Sequence, residues 1–409
     1  MVSARLRRST KSRLLRIALI ISLIWSLVEV VIIRRELALQ DQLQNHRIQA
    51  FDGRHHKIYI ASEHWNNEAV LRESWNAALV DLTKMLGPQN VYVSIYESGS
   101  WDNTKDALRE LDTELERLSV PRNITLDEHT HEDEISRPPG TSGWIDTPRG
   151  KKELRRVPYL SKIRNLTLRK LHELAQSGET FDRVLFLNDV VFTTQDIMAL
   201  LATNDGQYAA ACSLDFAKPP TYYDTFALRD SQGHETVMQT WPYFRSRASR
   251  TAIKYGQLVP VSSCWNGIVA MDARPFIDLD PPLQFRGIPD SLARAHLEGS
   301  ECCLIHADNG LSSSAGVWLN PNVRVGYRRA AYDAVHPLNG EAWVSAWQVF
   351  TGLWQNRIRR WTTTTRFKSW TVGRRVKEWE KLHPDEQEPG EFCLINEMQV
   401  LVENGWAHV

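Results

Sequence analysis

Between Lys57 and Leu187, short β-forming runs alternate with stretches of helical periodicity, and this rhythm restricts the body of the chain to an α/β architecture. Lys57 to Ala61 is a first strand. Leu71, Trp75, Ala78, Leu79, Leu82 and Leu86 then recur at helical spacing until Gly87-Pro88 stops the helix. Val91 to Tyr96 is a second strand, and Leu108, Leu111, Leu115 and Leu118 mark a second helix that Pro121 ends. A third strand near Ile124 leads into a polar loop over residues 127–150. A third helix, carrying Leu160, Ile163, Leu171 and Leu174, precedes the strand Val184 to Leu187. Helices between successive strands imply a mostly parallel sheet covered on both faces, with ligands expected where its strands end. After residue 200 the rhythm loosens, with strands expected near Tyr208 to Ser213 and Gly267 to Met271.

Ahead of this body, Ile17 to Ile33 is an apolar run broken mainly by Ser22, Ser26 and Glu29. With Leu14 and Leu15 it approaches the ~20 residues that cross a hydrocarbon core of ~30 Å. Arg5, Arg7, Arg8, Lys11, Arg13 and Arg16 precede it, so the flanking charge keeps the N-terminus in the cytosol. The reading is a type II signal anchor: tail 1–13, transmembrane helix 14–33, polar stem 34–54 and a body outside the cytosol. No small-x-small cleavage site follows, which disfavours a removed signal peptide. Glu29 must snorkel, be protonated or find a partner. The sequons at Asn123 and Asn165 fit a lumenal body.

Basic and acidic side chains number 49 each, so no global basic field exists to hold a nucleic acid. Five cysteines are too few for a disulfide-dense scaffold, and the odd count leaves at least one unpaired. Residues 55–340 are expected to form the catalytic domain. Residues 341–409 form a Trp- and Arg-rich extension, read as a cap with a solvated basic face; such a composition also suits anionic surfaces.

Four constellations could carry chemistry. Leu185 to Phe192 places Asp189 where an apolar strand ends, the position at which nucleotide-sugar transferases hold a divalent cation. The usual pattern has two acids, and Leu187 stands at the first, so Asn188 or another segment must supply further ligands. Trp265, Asn266 and Gly267 suit a sugar: an indole to stack, an amide to read hydroxyls and a glycine for close backbone approach. Glu298 to Asp308 offers Glu301 as a catalytic carboxylate and His306 as a distal metal ligand, with Asp290 a second catalytic candidate. Arg155 to Asn165 brings Lys162 and Arg164 to a helix start near the phosphates.

The segments His64–Glu68, Tyr96–Asp102, Phe186–Val190, Cys264–Gly267 and Ser300–Cys303 together resemble the fungal cryptococcal α-1,3-mannosyltransferase and capsule-associated protein family, glycosyltransferase family 69. The likeness runs from about Lys57 to Ala331, with a weaker echo at Met398–Val400 and Asn404–Val409. It implies a type II Golgi membrane protein with a GT-A-like nucleotide-sugar transferase fold, GDP-mannose as donor and Mn²⁺ or another divalent cation as cofactor. The acceptor would be a mannose-containing glycan or capsule-type polysaccharide, and an α product from an α-linked donor would be retaining. By the same resemblance Asp189 is the metal-binding acid, and Glu97 and Asp102 lie near the nucleotide with Lys162, Arg164 and Asn188. The rival reading is a catalytically silent, membrane-tethered glycan-binding or export scaffold.

Overall fold

The computed structural model describes residues 2–50, 55–337 and 340–409. Residues 51–54 of the expected stem and 338–339 of the expected catalytic domain lie outside the described residues, as do the side chains of Arg5, Arg7, Arg8 and Lys11.

Eight principal strands build the central sheet: β1 (Ile58–His64), β2 (Val91–Ser98), β3 (Arg122–Asp127), β4 (Arg183–Leu187), β5 (Ala210–Lys218), β6 (Val259–Ser263), β7 (Ile268–Asp272) and β8 (Val317–Gly326). Their order is β3-β2-β1-β4-β7-β5-β8-β6, with the short strands Arg229–Asp230 and Thr221–Tyr222 attached to β6 and β5. The pairs β1–β2, β2–β3, β1–β4 and β5–β8 are parallel; β7 and β6 run against their neighbours. The alternation read from the sequence therefore holds.

Successive side chains of a strand point to opposite faces, so a sheet buried on both sides needs unbroken apolar runs. Ile58 and Ile60 enter one core cluster while Tyr59 and Ala61 enter the other, and β4 divides likewise into Leu185 and Leu187 against Val184 and Phe186. The helices α2 (Asn76–Leu86), α3 (Thr104–Arg117) and α5 (Thr194–Leu201) cover the first face; α4 (Arg156–Gln176) and α6 (Arg247–Lys254) cover the second. Strand β8 was not legible in advance. Pro321 interrupts it, and its pairing with β5 shifts between Leu319 and Arg324.

The segments at both ends of the chain pack onto the body. The helix α1 (Val2–Ala50) runs unbroken through the expected anchor and into the stem, and Val30, Ile33 and Leu37 join the main core. It is long and apolar enough to cross a membrane, the one such helix among the described residues. Residues 341–409 likewise pack on the body, as a cap does. Val349 and Leu353 of α7 (Ala346–Thr362) enter the main core, and Val372, Val376 and Trp379 of α8 (Arg366–Leu382) pack with Leu304 and Val400. Disulfides Cys303–Cys393 and Cys212–Cys264 tie distant segments together, and Cys302 is the unpaired, buried thiol. The first fastens the C-terminal segment to the body. Two such bonds suit an oxidising compartment.

Asn165 gives its amide to the Phe285 carbonyl (2.8 Å) and accepts from the Phe285 N–H (2.9 Å). A glycan on that nitrogen is incompatible with this pairing, so of the two sequons only Asn123, on the edge strand β3, suits a folded glycoprotein.

Candidate active site

The strand order reverses between β1 and β4, and in doubly wound sheets ligands bind at the carboxyl ends flanking such a reversal. β1 ends in Glu63 and His64; β4 runs into Asn188 and Asp189. Asn188 is fixed from three sides. Its N–H donates to the Gly267 carbonyl (3.0 Å), its carbonyl accepts from Trp75 Nε1 (3.0 Å), and its Oδ1 accepts from Trp265 Nε1 (3.1 Å). Trp75 reaches it from a π-helical turn, Leu71–Trp75. Asp189 is then presented at the rim, where Asn67 Nδ2 donates to its Oδ2 at 2.9 Å. Asn67 is itself held, because its Oδ1 accepts from the Trp65 N–H and its own N–H donates to Thr104.

Around Asp189 gather acids from four further segments. Arg164 lies between Glu63 (2.9 Å) and Glu301 (3.1 Å), with its guanidinium 4.6 Å from the Trp265 ring centre. Asp215, on β5, accepts from Asn266 Nδ2 (2.9 Å), from the Tyr327 hydroxyl (3.2 Å) and from the N–H of Asp224. Arg156 faces the same acids, braced by Gln399 and by Trp406 stacked on its guanidinium. The C-terminal echo of the family pattern therefore closes the rim. Five carboxylates meet two arginines, and burial sets their protonation. Desolvation pushes Glu63 up to about 7 against the pull of Arg164, and Asp189 up to about 6 against the Asn67 hydrogen bond. Asp215 and Asp224 are both raised, by burial first; the charge of Asp224 then lifts Asp215 further.

The structure brings Asp189, Arg164 and Glu301 together but sends other candidates elsewhere. Trp265 is 2% exposed, enclosed by Arg164, Phe186 and Phe285, so it has no free face for a sugar. It is a core residue. The exposed aromatic beside the acids is Tyr223, its ring 4.6 Å from that of Tyr327. Asn266 and Gly267 are buried structural residues. Asn266 sits at φ 42° and orients Asp215; Gly267 sits at φ 92°, where a Cβ would meet Val325 at 2.6 Å. His306 Nε2 lies 2.7 Å from the Cys264 carbonyl, and burial drives its pKa down to about 4. It is a neutral core histidine rather than a partner of Asp189. Asp290 pairs with Arg155 (2.7 Å) and caps Gly143, away from the acids. Lys162 is exposed and pairs with Glu134; it lines a separate cavity of about 490 Å³ with Asp290 and Tyr159. Glu97 accepts from the Ser100 N–H and pairs with Lys105, while Asp102 accepts from the N–H groups of Glu68 and Thr104. Both shape their loop, whose turn needs Gly99: a Cβ there would lie 1.9 Å from the His129 carbonyl oxygen. The Asn188 Oδ1 is taken by Trp265.

Glu63, Asp215 and Asp224 were not singled out in the sequence, and Arg156 stood there only as one cation of the run Arg155 to Asn165. Asp215 had a signal, since an acid inside the apolar run Ala209–Phe216 is the same pattern that exposed Asp189. Glu63 and Asp224 carry none beyond their neighbours. Replacing Trp265 by Phe is expected to cost about 1–3 kcal/mol, because the Asn188 Oδ1 acceptor is left unpaired; thermal unfolding checks it.

The family model described as cryptococcal mannosyltransferase 1 matches residues 57–308, more than half of the chain, and the protein belongs to that family. Its mostly parallel sheet is accordingly the GT-A-like fold of that resemblance. Among individual relatives, alpha-1,3-mannosyltransferase CMT1 of Cryptococcus neoformans var. neoformans serotype D is 27% identical over 286 residues. The match covers 64% of this chain and 56% of that protein's length. Among solved structures, the mannosyltransferase PcManGT of Pyrobaculum calidifontis, in complex with GDP-Man and Mn²⁺, aligns with 90% of this chain and 79% of its own, at 12% identity and TM-score 0.36. GalNAc-T7 with UDP, GalNAc and Mn²⁺ aligns with 66% of this chain and 43% of its own, at 13% identity and TM-score 0.35.

Proposed function

We propose that the protein is a membrane-anchored glycosyltransferase that moves mannose from GDP-mannose, with retention, into an α-1,3 linkage on a mannose-containing glycan or capsule-type polysaccharide. The observation that carries this reading is the cluster of Glu63, Asp189, Asp215, Asp224 and Glu301 at the sheet's reversal, crossed by Arg164 and Arg156. The basic residues that precede the apolar run support a type II anchor over residues 14–33 with the body in the Golgi lumen.

A divalent cation fits this donor set. The ligating atoms are hard oxygens, acids outnumber cations, and Glu63 Oε2 and Asn266 Oδ1 are buried acceptors without a donor. Asp189 would hold it, with Asp215 and Asp224, joined through the Asp224 N–H, as the alternative carboxylate pair; when bound it would offset the charge of the diphosphate. Arg164 and Arg156 supply fixed positive charge to the same diphosphate. Tyr223 offers a ring face to the sugar. Glu301, held by Arg164, lies ready to orient the acceptor or face the oxocarbenium-like centre.

Metal binding should compete with protons here. Groups raised to about 6 and 7 hold protons at pH 5.5 and release them by pH 7.5. Millimolar Mn²⁺ is therefore expected to raise the melting temperature more at pH 7.5 than at pH 5.5. Equal shifts at both values would remove the cation from this cluster.

One observation favours the scaffold reading: Leu187, at the usual first acid, is buried in the core and cannot ligate. The two readings part on donor consumption, since a scaffold binds glycan and leaves nucleotide sugar intact.

A further inference from the structure

The helix α1 does not stand clear of the body. Leu14, Ile17, Leu19, Ile20, Ile21, Leu23, Ile24 and Trp25 are open, whereas Ser26, Val30, Ile33 and Leu37 recur on one face and are buried. Helix α7 meets α1 at this face. Trp354 Nε1 donates to Ser26 Oγ at 3.2 Å, Arg357 pairs with Glu29, and Lys254 adds a second cation to Glu29 at 2.7 Å. The awkward carboxylate of the apolar run has found its partners in the body.

This contact has a consequence for depth. Residues 14–25 span roughly 18 Å of helix, well short of the ~30 Å hydrocarbon core. A helix that crosses must use the residues up to about Ile33, and those include the stretch that α7 covers. Membrane crossing by α1 thus draws α7 down to the level of the lipid headgroups. The open surface of α7 and α8 matches that position. Trp347, Ile358, Trp361, Phe367 and Trp370 are 72%, 51%, 69%, 78% and 64% exposed. Arg359, Arg360, Arg366 and Arg374 are interleaved with them. So many large apolar side chains in the open mark a contact surface, and aromatic rings mixed with arginines suit the boundary between acyl chains and phosphates.

We propose that α7 and the start of α8 lie in the headgroup layer of the same phospholipid bilayer that α1 spans, with their aromatic side chains at the acyl boundary and their arginines on lipid phosphates. This rests on the anchor reading of α1. The membrane contact is then a surface of the body as well as a single helix, and it limits how the body can swing about the anchor.

The test uses the full chain in phosphatidylcholine vesicles with a spin label at one introduced cysteine, Cys302 being buried. Three positions serve: Phe367→Cys on α8, Trp25→Cys in the anchor, and Met85→Cys on α2, whose core cluster takes Ile48 near the opposite end of α1. Labels at 367 and 25 are expected to collide several-fold more with lipid-dissolved oxygen than with a water-soluble nickel complex, and the label at 85 the reverse. A label at 367 that behaves like that at 85, while 25 reports lipid, overturns the α7–α8 contact and leaves the anchor standing. If 25 also reports water, the anchor reading itself fails and the α7–α8 contact goes with it.

Discussion

Asp189→Asn is expected to slow sugar transfer at least about a hundredfold, a barrier increase of ~3 kcal/mol, without weakening the fold. The substitution keeps the side chain's shape and removes one negative charge from the acid cluster. The folded protein already holds this carboxyl up at about 6 through desolvation. A group raised in the folded state is a liability above that value, so at pH 7.5 an amide there should leave stability unchanged or higher. The cost falls on function alone, through a lost anchor for the cation and diphosphate. Transfer rates across a Mn²⁺ titration, with thermal unfolding of the same samples, separate these effects. A variant with near-normal rate and metal response would place the cation on Asp215 and Asp224.

Arg164→Ala should damage both fold and activity. Its guanidinium is 11% exposed and bridges Glu63 and Glu301, and it covers Trp265. Removing one partner of such a pair leaves desolvated carboxylates uncompensated, typically at about 3–5 kcal/mol. The penalty has a pH signature. Without Arg164 the Glu63 pKa, already raised to about 7, rises further, so the carboxyl is neutral at pH 5.5 and charged only well above it. The destabilisation should therefore shrink as pH falls from 7.5 to 5.5. Arg164→Lys keeps a charge without the fork that spans both acids, and is expected to recover much of the stability and little of the activity. Urea unfolding at the two pH values reads this directly; a pH-independent loss would mean that packing on Trp265, not charge, is what Arg164 supplies.

The parallel half of the sheet was legible because its strands and helices follow simple periods: Ile58 and Ile60 against Tyr59 and Ala61, then leucines every three or four residues. Strand β8 was not, because Pro321 breaks the local pattern and its place in the sheet depends on pairing with β5, more than 90 residues away in sequence. At the site, Asp189 and Arg164 were visible as a strand-end acid and a helix-borne cation. Trp265 misled because an indole beside an amide and a glycine reads alike in a core and on a sugar platform. Only burial distinguishes them. His306 and Asp290 misled for a related reason: their partners, the Cys264 carbonyl and Arg155, are supplied by distant segments. Likewise the boundary at 340 followed composition, whereas the Cys303–Cys393 bond and the Val400 bridge to Arg155 join what composition divided.

The most direct test of the central claim is donor turnover by the protein. GDP-mannose, Mn²⁺ and a mannose-terminated acceptor are incubated with detergent-solubilised enzyme, and released GDP and the anomeric configuration of the product are measured. The account expects GDP release matched by new α-linked mannose, both abolished in Asp189→Asn. Acceptor binding with no consumption of GDP-mannose or of any other nucleotide sugar would contradict it and leave a glycan-binding scaffold.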